Sequence, residues 1–161
     1  MAKITQLNHS VLFVSDVNRS ADFYKRVFSM TEVASRPNQA VFLRLSGSNN
    51  HHDLAVMSVG ANAPQPPRGS TGLYHLAWEV ETIDELADAI VELAQSGHLV
   101  GMSDHGVSKS LYAKDPDGIE FEILWRVPRE DWGELEHVAY TTHLDLEKEL
   151  ARYGTRKQVT A

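Results

Sequence analysis

The sequence contains no cysteine among its 161 residues. This absence excludes disulfide bonds, thiolate catalysis and cysteine-ligated zinc or iron–sulfur sites. Basic residues are also few: 15 lysines and arginines stand against 22 aspartates and glutamates, which gives a formal net charge of −7. Because the chain has no run of basic residues, we expect no surface for nucleic acid.

Long hydrophobic segments are lacking as well. No stretch approaches the roughly 20 apolar residues of a membrane span. The N-terminal residues MAKITQLNHSVLF lack the long apolar run and the cleavage site of a signal peptide. We therefore expect a cytoplasmic protein with no membrane partner. What the chain does have is ordinary core-forming material, with 42% hydrophobic residues, and as many as eight histidines.

The pattern strand–helix–strand–strand–strand occurs twice along the chain. At an offset of 66 residues, Leu7-Asn8-His9 aligns with Leu73-Tyr74-His75. Two amphipathic units could align by chance, but a histidine at the same position of each first strand favours duplication. We predict one domain over residues 1–127, with modules at 4–60 and 71–127 and a proline-rich linker at 60–71. Residues 128–161 are predicted to form a C-terminal extension with a short helix.

Local signals give the limits of the two long helices. The first helix is expected to begin after Asp16 or Asn18, either of which can cap it. The second has Thr82 as its cap, Glu85 completing a capping box and Gly97 as its stop. The first strand of each module is predicted from continuous patterns, ITQLNHSVLFV and GLYHLAWEVE, which place a histidine near the middle of each strand.

A hairpin near the end of the second module places a carboxylate in an apolar strand. The turn Asp115-Pro116-Asp117-Gly118 predicts that Tyr112 lies directly opposite Glu122. Glu122 is flanked by Phe121 and Ile123, and a buried carboxylate needs a partner. A salt bridge, or a strand whose second face is solvated, would also satisfy this requirement.

His9 and His75 supply two further ionisable groups in apolar surroundings. A single histidine of this kind is usually a hydrogen-bonded core residue. Two at equivalent positions, together with Glu122, form the set of two histidines and one carboxylate that binds non-haem Fe(II) with open coordination positions. Mn(II) is the usual competitor, whereas zinc prefers a tetrahedral site.

Residues 4–126 resemble the vicinal oxygen chelate superfamily, which is also called the glyoxalase, bleomycin-resistance and extradiol-dioxygenase fold. The resemblance implies an α+β fold, in which two tandem βαβββ modules form a small open barrel around a metal site. The chain is most similar to the type I extradiol ring-cleaving dioxygenases. YHLAWEV resembles their motif around the second metal histidine, His75. YAKDPDGIEFE resembles the motif in which Tyr112 stands ten residues before the metal glutamate, Glu122.

The resemblance implies that His9, His75 and Glu122 bind the metal, Fe(II) or possibly Mn(II), and that no organic cofactor is needed. The implied reaction is cleavage of a catechol-type aromatic diol by O₂. These enzymes carry an active-site histidine in a motif similar to HDLAV, so His52 is expected to face the site and His51 to face away. The superfamily commonly dimerises, so we expect a homodimer or a higher homo-oligomer.

Two further site residues follow from the same resemblance. The segment DHGVS resembles a family motif that carries a substrate-binding histidine, here His105, although the stretch that follows it is about two residues shorter than in the larger enzymes. Tyr112 is expected to hydrogen-bond the substrate beside His105. His52 would transfer protons, because histidine titrates near neutrality.

Two alternative functions remain open at this point. One is a redox-neutral metalloenzyme that resembles lactoylglutathione lyase or a fosfomycin-modifying thiol transferase. Glyoxalases usually use a fourth ligand, a glutamate on the last strand of the first module, where this chain offers only Asp53. The other is a metal-free binding protein like the bleomycin-resistance proteins, which do not need the two-histidine, one-glutamate set.

Overall fold

The computed structural model describes residues 1–67 and 69–156. The chain divides into two compact units, of which the first ends at Thr71 and the second begins at Gly72. Each unit contains one open, mixed, four-stranded sheet and a long helix, so the α+β class and the repeated βαβββ order are confirmed. Neither sheet closes into a barrel. Arg68 of the predicted linker and residues 157–161 of the predicted extension lie outside the described residues.

The first five elements of the second unit correspond one to one to the elements of the first unit. The first unit contains β1 Ser10–Val14, α1 Val17–Val27, β2 Thr31–Arg36, β3 Ala40–Arg44 and β4 Leu54–Ser58. The second contains β5 Leu76–Val80, α2 Ile83–Gln95, β6 Leu99–Asp104, β7 Ser108–Lys114, β8 Glu120–Arg126 and α3 Leu146–Tyr153. The strand orders are β1-β4-β3-β2 and β5-β8-β7-β6, with β1–β4 and β5–β8 parallel and the other pairs antiparallel.

The first strand of each unit is shorter than the sequence predicts. β1 begins at Ser10, so His9 directly precedes it, and β5 begins at Leu76, so His75 directly precedes it. The prediction that each histidine lies near the middle of a strand is therefore wrong. The reason is that a strand extends only as far as its partner, and β4 and β8 begin to pair at these points. The equivalence of the two histidines nevertheless holds.

The helix limits follow the sequence signals. The Asp16 side chain caps α1 by accepting hydrogen bonds from the backbone of Asn18 and Arg19, so Asp16 is the cap rather than Asn18. Thr82 and Glu85 form the predicted capping box of α2. Gly97, which follows the end of α2, has a φ of 75°, a conformation that glycine adopts without strain.

Each unit has its own core between the helix and one face of the sheet. In the second unit this core includes the buried apolar side chains of α2 and of alternate positions of β7 and β8, namely Ile83, Leu86, Ile90, Leu93, Leu111, Ala113, Phe121, Ile123 and Trp125. Because side chains alternate along a strand, Tyr112 and Glu122 lie on the opposite face. In the part of the chain that the structure describes, no helix has the length and apolar character to cross a membrane.

The C-terminal extension joins the second unit, and α3 is its predicted short helix. Thr142 forms an isolated antiparallel bridge with Asp104, the last residue of β6. Helix α3 packs against α2, with Leu144 and Glu149 buried. After α3, the backbone amide and hydroxyl of Thr155 donate hydrogen bonds of 2.7 Å each to Asp84.

Candidate active site

Glu122 and His75 approach each other on the sheet face that α2 leaves open. Glu122 lies beside Ala77 in the parallel pair β5–β8 and opposite Tyr112 in the antiparallel pair β7–β8, as the hairpin signal predicted. His75 is two residues before Ala77 and therefore lies near the same face. The Nε2 atom of His75 is 3.1 Å from Oε2 of Glu122. Glu122 is only 7% exposed, so its charge needs such a partner.

Tyr112 is the second neighbour of Glu122. Its hydroxyl oxygen lies 3.3 Å from Oε1 of Glu122 and 2.9 Å from Nε2 of His105. Burial, reinforced by the charge and hydrogen bond of Glu122, raises the pKa of Tyr112 to about 12. The phenol therefore keeps its proton at neutral pH and can donate a hydrogen bond.

His105 is the outer member of this chain of contacts and lies in a tight turn between β6 and β7. Its backbone N–H donates to the carbonyl of Ser108 over 2.9 Å, and the next residue, Gly106, has a φ of 78°. Its ring reaches Tyr112 with Nε2 and the C-terminal extension with Nδ1. The second unit thus brings His75, Glu122, Tyr112 and His105 into one continuous series of polar contacts.

The first unit brings His9 and His52 together. Their ring centroids are 4.5 Å apart, and the His52 ring also packs edge-on against Phe42 at 5.1 Å. His52 precedes β4 and is half-buried, whereas His51 is exposed and lies 3.0 Å from His52 between Nδ1 atoms. Of the two neighbours, His52 is therefore the one that contacts the other predicted site residue of this unit.

The surroundings of His52 favour its neutral form. Burial lowers the pKa of His52, and the neighbouring His9 and His51 lower it further, against a smaller opposing effect of Asp53. A neutral imidazole has one nitrogen free to accept a proton. This state suits a general base.

Asp53 does not offer its carboxylate to a site. Its oxygens accept hydrogen bonds from the Leu45 backbone, from the Ser48 hydroxyl and from the Asn50 side chain, at 2.8, 2.8 and 2.7 Å. Burial alone would raise the pKa of Asp53, but these hydrogen bonds outweigh it and lower that pKa. Asp53 is therefore a structural anchor for the loop between β3 and β4.

Sequence reasoning missed the groups that position the predicted residues. Asn50 donates a hydrogen bond to the backbone carbonyl of Asn8, and Asn8 donates one to the Asn50 side chain, at 2.8 and 2.9 Å. The side-chain oxygen of Asn8, Oδ1, also lies 2.8 Å from Nδ1 of His9. These asparagines link the residues just before β1 to those just before β4. Only their adjacency to histidines in LNH and NNHH could have drawn attention to them.

The three predicted metal ligands are divided between the units, with His9 in the first and His75 and Glu122 in the second. Among residues 1–67 and 69–156, no group of three or more His, Asp or Glu side chains has the arrangement of a metal site. The pair His75–Glu122 supplies two donor atoms 3.1 Å apart. Two ligands at right angles, each about 2.1 Å from an ion, lie about 3.0 Å from each other, so the pair fits a divalent metal.

Comparison with known proteins adds the family. Residues 6–123 match the model of the Glyoxalase/Bleomycin resistance protein/Dioxygenase superfamily. The chain is 30% identical over 159 residues to the catechol-2,3-dioxygenase of Bacillus subtilis (strain 168), covering 97% of this chain and 55% of that protein. It thus spans little more than half the length of this relative.

Other relatives carry different names. The chain is 27% identical over 143 residues to the lactoylglutathione lyase of Neisseria meningitidis serogroup A. This match covers 85% of this chain and 99% of that protein. The fold also matches the solved structure of a mutant fosfomycin resistance protein from Listeria monocytogenes, which is complexed with Mn(II) and 1S,2S-dihydroxypropylphosphonic acid. The TM-score is 0.62 and the sequence identity is 19%, and the match covers 84% of this chain and all of that one. This chain therefore belongs to the glyoxalase/bleomycin resistance protein/dioxygenase superfamily.

Proposed function

We propose that the protein is an extradiol dioxygenase, which cleaves the ring of a catechol-type aromatic diol with O₂ at a centre of two histidines and one glutamate. The observation that carries this proposal is the series of contacts His75–Glu122–Tyr112–His105. It combines a metal-binding pair with a phenol and an imidazole that can bind the oxygens of a diol. The similarity to a catechol-2,3-dioxygenase supports the same reaction.

The metal would be held by His9, His75 and Glu122. Two imidazoles and one carboxylate suit Fe(II), and Mn(II) is also possible with these donors. The fold relative crystallised with Mn(II) supports a divalent ion of this kind. When bound, Fe(II) would bring the diol and O₂ together and lower the pKa of the diol hydroxyls.

The remaining site residues would bind the diol and move its protons. His52, kept neutral by its surroundings, would accept a proton from a diol hydroxyl and later return it. Tyr112, protonated because its pKa is about 12, would hydrogen-bond an oxygen of the diol. His105 would contact the same oxygen through Nε2, the nitrogen that faces Tyr112.

A redox-neutral lyase is the second candidate, because the meningococcal lyase matches over nearly its whole length whereas the dioxygenase matches over about half. Such an enzyme would be expected to use a further carboxylate, near the end of the first module, as a fourth metal ligand. Asp53 is the acidic residue available there, and the hydrogen bonds of its carboxylate hold the β3–β4 loop. This engagement favours the dioxygenase.

The mass of the product separates the two functions. The protein is loaded with Fe(II) without oxygen and mixed with catechol and air, or with the hemithioacetal of methylglyoxal and glutathione. A dioxygenase yields a product with the mass of the diol plus one O₂. A lyase isomerises the hemithioacetal to a thioester of the same mass, so that conversion is followed by the ultraviolet absorbance of the thioester. Conversion of the hemithioacetal alone would replace the dioxygenase with the lyase.

The proposal also covers the partners of the protein. The diol and O₂ are its small-molecule partners, no organic cofactor takes part, and the working form is a cytoplasmic homodimer or higher homo-oligomer. Light scattering of the purified protein measures the mass of the assembly directly. A mass equal to one chain, 18.0 kDa, would contradict the oligomer.

A further inference from the structure

His105 has hydrogen-bond partners on both ring nitrogens. Nε2 lies 2.9 Å from the hydroxyl oxygen of Tyr112. Nδ1 lies 3.1 Å from Oγ1 of Thr141 and 3.3 Å from the carbonyl oxygen of Tyr140. Tyr140 and Thr141 belong to the C-terminal extension, beyond the residues 6–123 that match the family model.

The chemistry of these partners determines which nitrogen carries the proton. A carbonyl oxygen can only accept a hydrogen bond. The Thr141 hydroxyl donates its own hydrogen to the Tyr140 carbonyl over 2.8 Å, so it turns a lone pair towards His105. Both groups at Nδ1 are therefore acceptors, and Nδ1 must be protonated to bind them. In the neutral ring Nε2 is then unprotonated and is an acceptor that faces the Tyr112 hydroxyl.

The position of the extension is fixed by the backbone beside His105. The N–H of Asp104 donates to the carbonyl of Thr142 over 2.8 Å, and the N–H of Thr142 donates to the carbonyl of Asp104 over 2.9 Å. The Asp104 side chain in turn accepts from the backbone of Gly106 and from the buried Lys109, at 2.7 and 2.6 Å. The residues on either side of His105 are therefore tied to one carboxylate, and the bridge holds Thr141 next to the ring.

We propose that Thr141, together with the Tyr140 carbonyl, is a positioning group for His105. It holds the neutral ring in the Nδ1–H tautomer and directs Nε2 at the Tyr112 hydroxyl. In this tautomer Nε2, 2.9 Å from the Tyr112 hydroxyl oxygen, competes for the hydrogen of Tyr112 with Oε1 of Glu122, which is 3.3 Å away. The consequence for catalysis rests on the proposed dioxygenase function, whereas the tautomer is a property of the protein without metal or substrate.

The test is the ¹⁵N NMR spectrum of the histidine rings in the metal-free protein, with His105→Gln to assign the resonance. At a pH where its own ¹⁵N shifts show a neutral ring, His105 is expected to be mainly Nδ1–H. Thr141→Val removes one acceptor and should lower the ratio of Nδ1–H to Nε2–H by about 2- to 10-fold, the value of one net hydrogen bond. Thr141→Ser restores an acceptor and should restore the ratio.

The adjacent Thr142→Val variant is the matched control. It makes the same chemical change one residue away, leaves the backbone bridge in place, and should keep the wild-type ratio. An Nε2–H ring in the wild type, or equal spectra for Thr141→Val and Thr142→Val, would overturn the proposal. Folding of each variant is read from the dispersion of the amide spectrum, and Thr141→Ser keeps the test valid if Thr141→Val fails to fold.

Kinetics separate this proposal from the proposed function. With catechol and Fe(II)-loaded protein, Thr141→Val should lower kcat by up to about 10-fold with little change in KM, and Thr141→Ser should recover it. A shift of the tautomer without any cleavage of catechol leaves the positioning role intact and removes the dioxygenase. Cleavage of catechol without a shift of the tautomer leaves the dioxygenase intact and removes the positioning role.

Discussion

At the scale of single residues, Asp53 illustrates how a carboxylate next to a site can have a structural task. Replacing it with asparagine exchanges one acceptor oxygen for a donor and leaves buried donors of the β3–β4 loop unpaired. We expect Asp53→Asn to lower the free energy of unfolding by about 1–3 kcal/mol in urea denaturation. Asp22→Asn, which removes an exposed carboxylate paired with Lys25, should change it by less than about 1 kcal/mol.

The contribution of Asp53 should depend on pH. Because its pKa is lower in the folded protein than in the unfolded chain, the contribution is complete above the ordinary pKa of aspartate, about 4. It is lost as the pH falls through the lower, folded value. The difference in stability between wild type and Asp53→Asn should therefore shrink below about pH 4. A difference that stays constant down to pH 2 would contradict the assigned hydrogen bonds.

Glu122 and Tyr112 face each other in the hairpin but have different proposed roles. Glu122→Ala removes a proposed metal ligand and should leave the purified, Fe(II)-loaded protein with much less metal than the wild type. Tyr112→Phe removes only a hydroxyl that contacts this ligand and should retain most of the metal. Metal analysis of the two purified variants tests these roles. Equal loss of metal in both variants, or no loss in either, would contradict them.

His52 and His51 form a matched pair in the same loop. His52→Ala should keep its metal and its affinity for catechol but cleave the ring about 10²–10⁴-fold more slowly, if proton transfer limits the rate. His51→Ala should remain close to wild type, because His51 is exposed. Single-turnover cleavage after mixing with O₂ gives both rates. A slow His51 variant beside a normal His52 variant would reverse the assignment.

At the scale of elements, the turn that carries His105 is packed against the extension through Gly106. This glycine has a φ of +78°, and a Cβ added to it would lie 2.9 Å from Cδ1 of Leu135. Gly60, with a φ of +85°, has no atom within 4 Å of the same position. Gly60→Ala should therefore cost only the backbone strain, about 1 kcal/mol, whereas Gly106→Ala should cost roughly 1–3 kcal/mol more.

Urea denaturation of the two alanine variants measures the difference. Combining Gly106→Ala with Leu135→Ala should remove the excess, because the smaller side chain makes room for the new methyl group. Equal costs for Gly106→Ala and Gly60→Ala would mean that Leu135 simply moves aside and that the turn is not held by the extension.

Most elements could be predicted from the sequence because their signals are local. Helix caps, the DPDG hairpin and the alternation of β7 and β8 depend on residues close together in the chain. The starts of β1 and β5 could not be predicted, because they are set by where pairing with β4 and β8 begins, at Leu54 and Phe121. The apolar patterns continue before Ser10 and Leu76, but this pairing does not.

The same distinction applies to the candidate site. Tyr112 opposite Glu122 followed from counting along a hairpin, whereas metal binding by His9, His75 and Glu122 stays a prediction. The contact of Thr141 with His105 joins residues 36 positions apart through an isolated backbone bridge. No periodicity or turn motif marks such a contact, so only the structure could show it.

At the scale of the whole molecule, the fold does not distinguish between the functions of the superfamily. Both units contain the order βαβββ, and the proteins that the chain resembles include a dioxygenase, a lyase and a fosfomycin resistance protein. The distinction rests on chemistry: an engaged Asp53, a neutral His52, and a phenol and imidazole beside Glu122. The proposed reaction therefore consumes O₂, whereas the other functions do not.

The uptake of O₂ is the most direct measurement of the proposed reaction. The protein is loaded with Fe(II) under anaerobic conditions, and O₂ consumption is followed after catechol is added, with Glu122→Ala treated in the same way as the control. We expect equimolar consumption of O₂ and catechol by the wild type and only background uptake by Glu122→Ala. If the wild type retains its Fe(II) and binds catechol but consumes no more O₂ than the Glu122→Ala variant, the protein is not an extradiol dioxygenase.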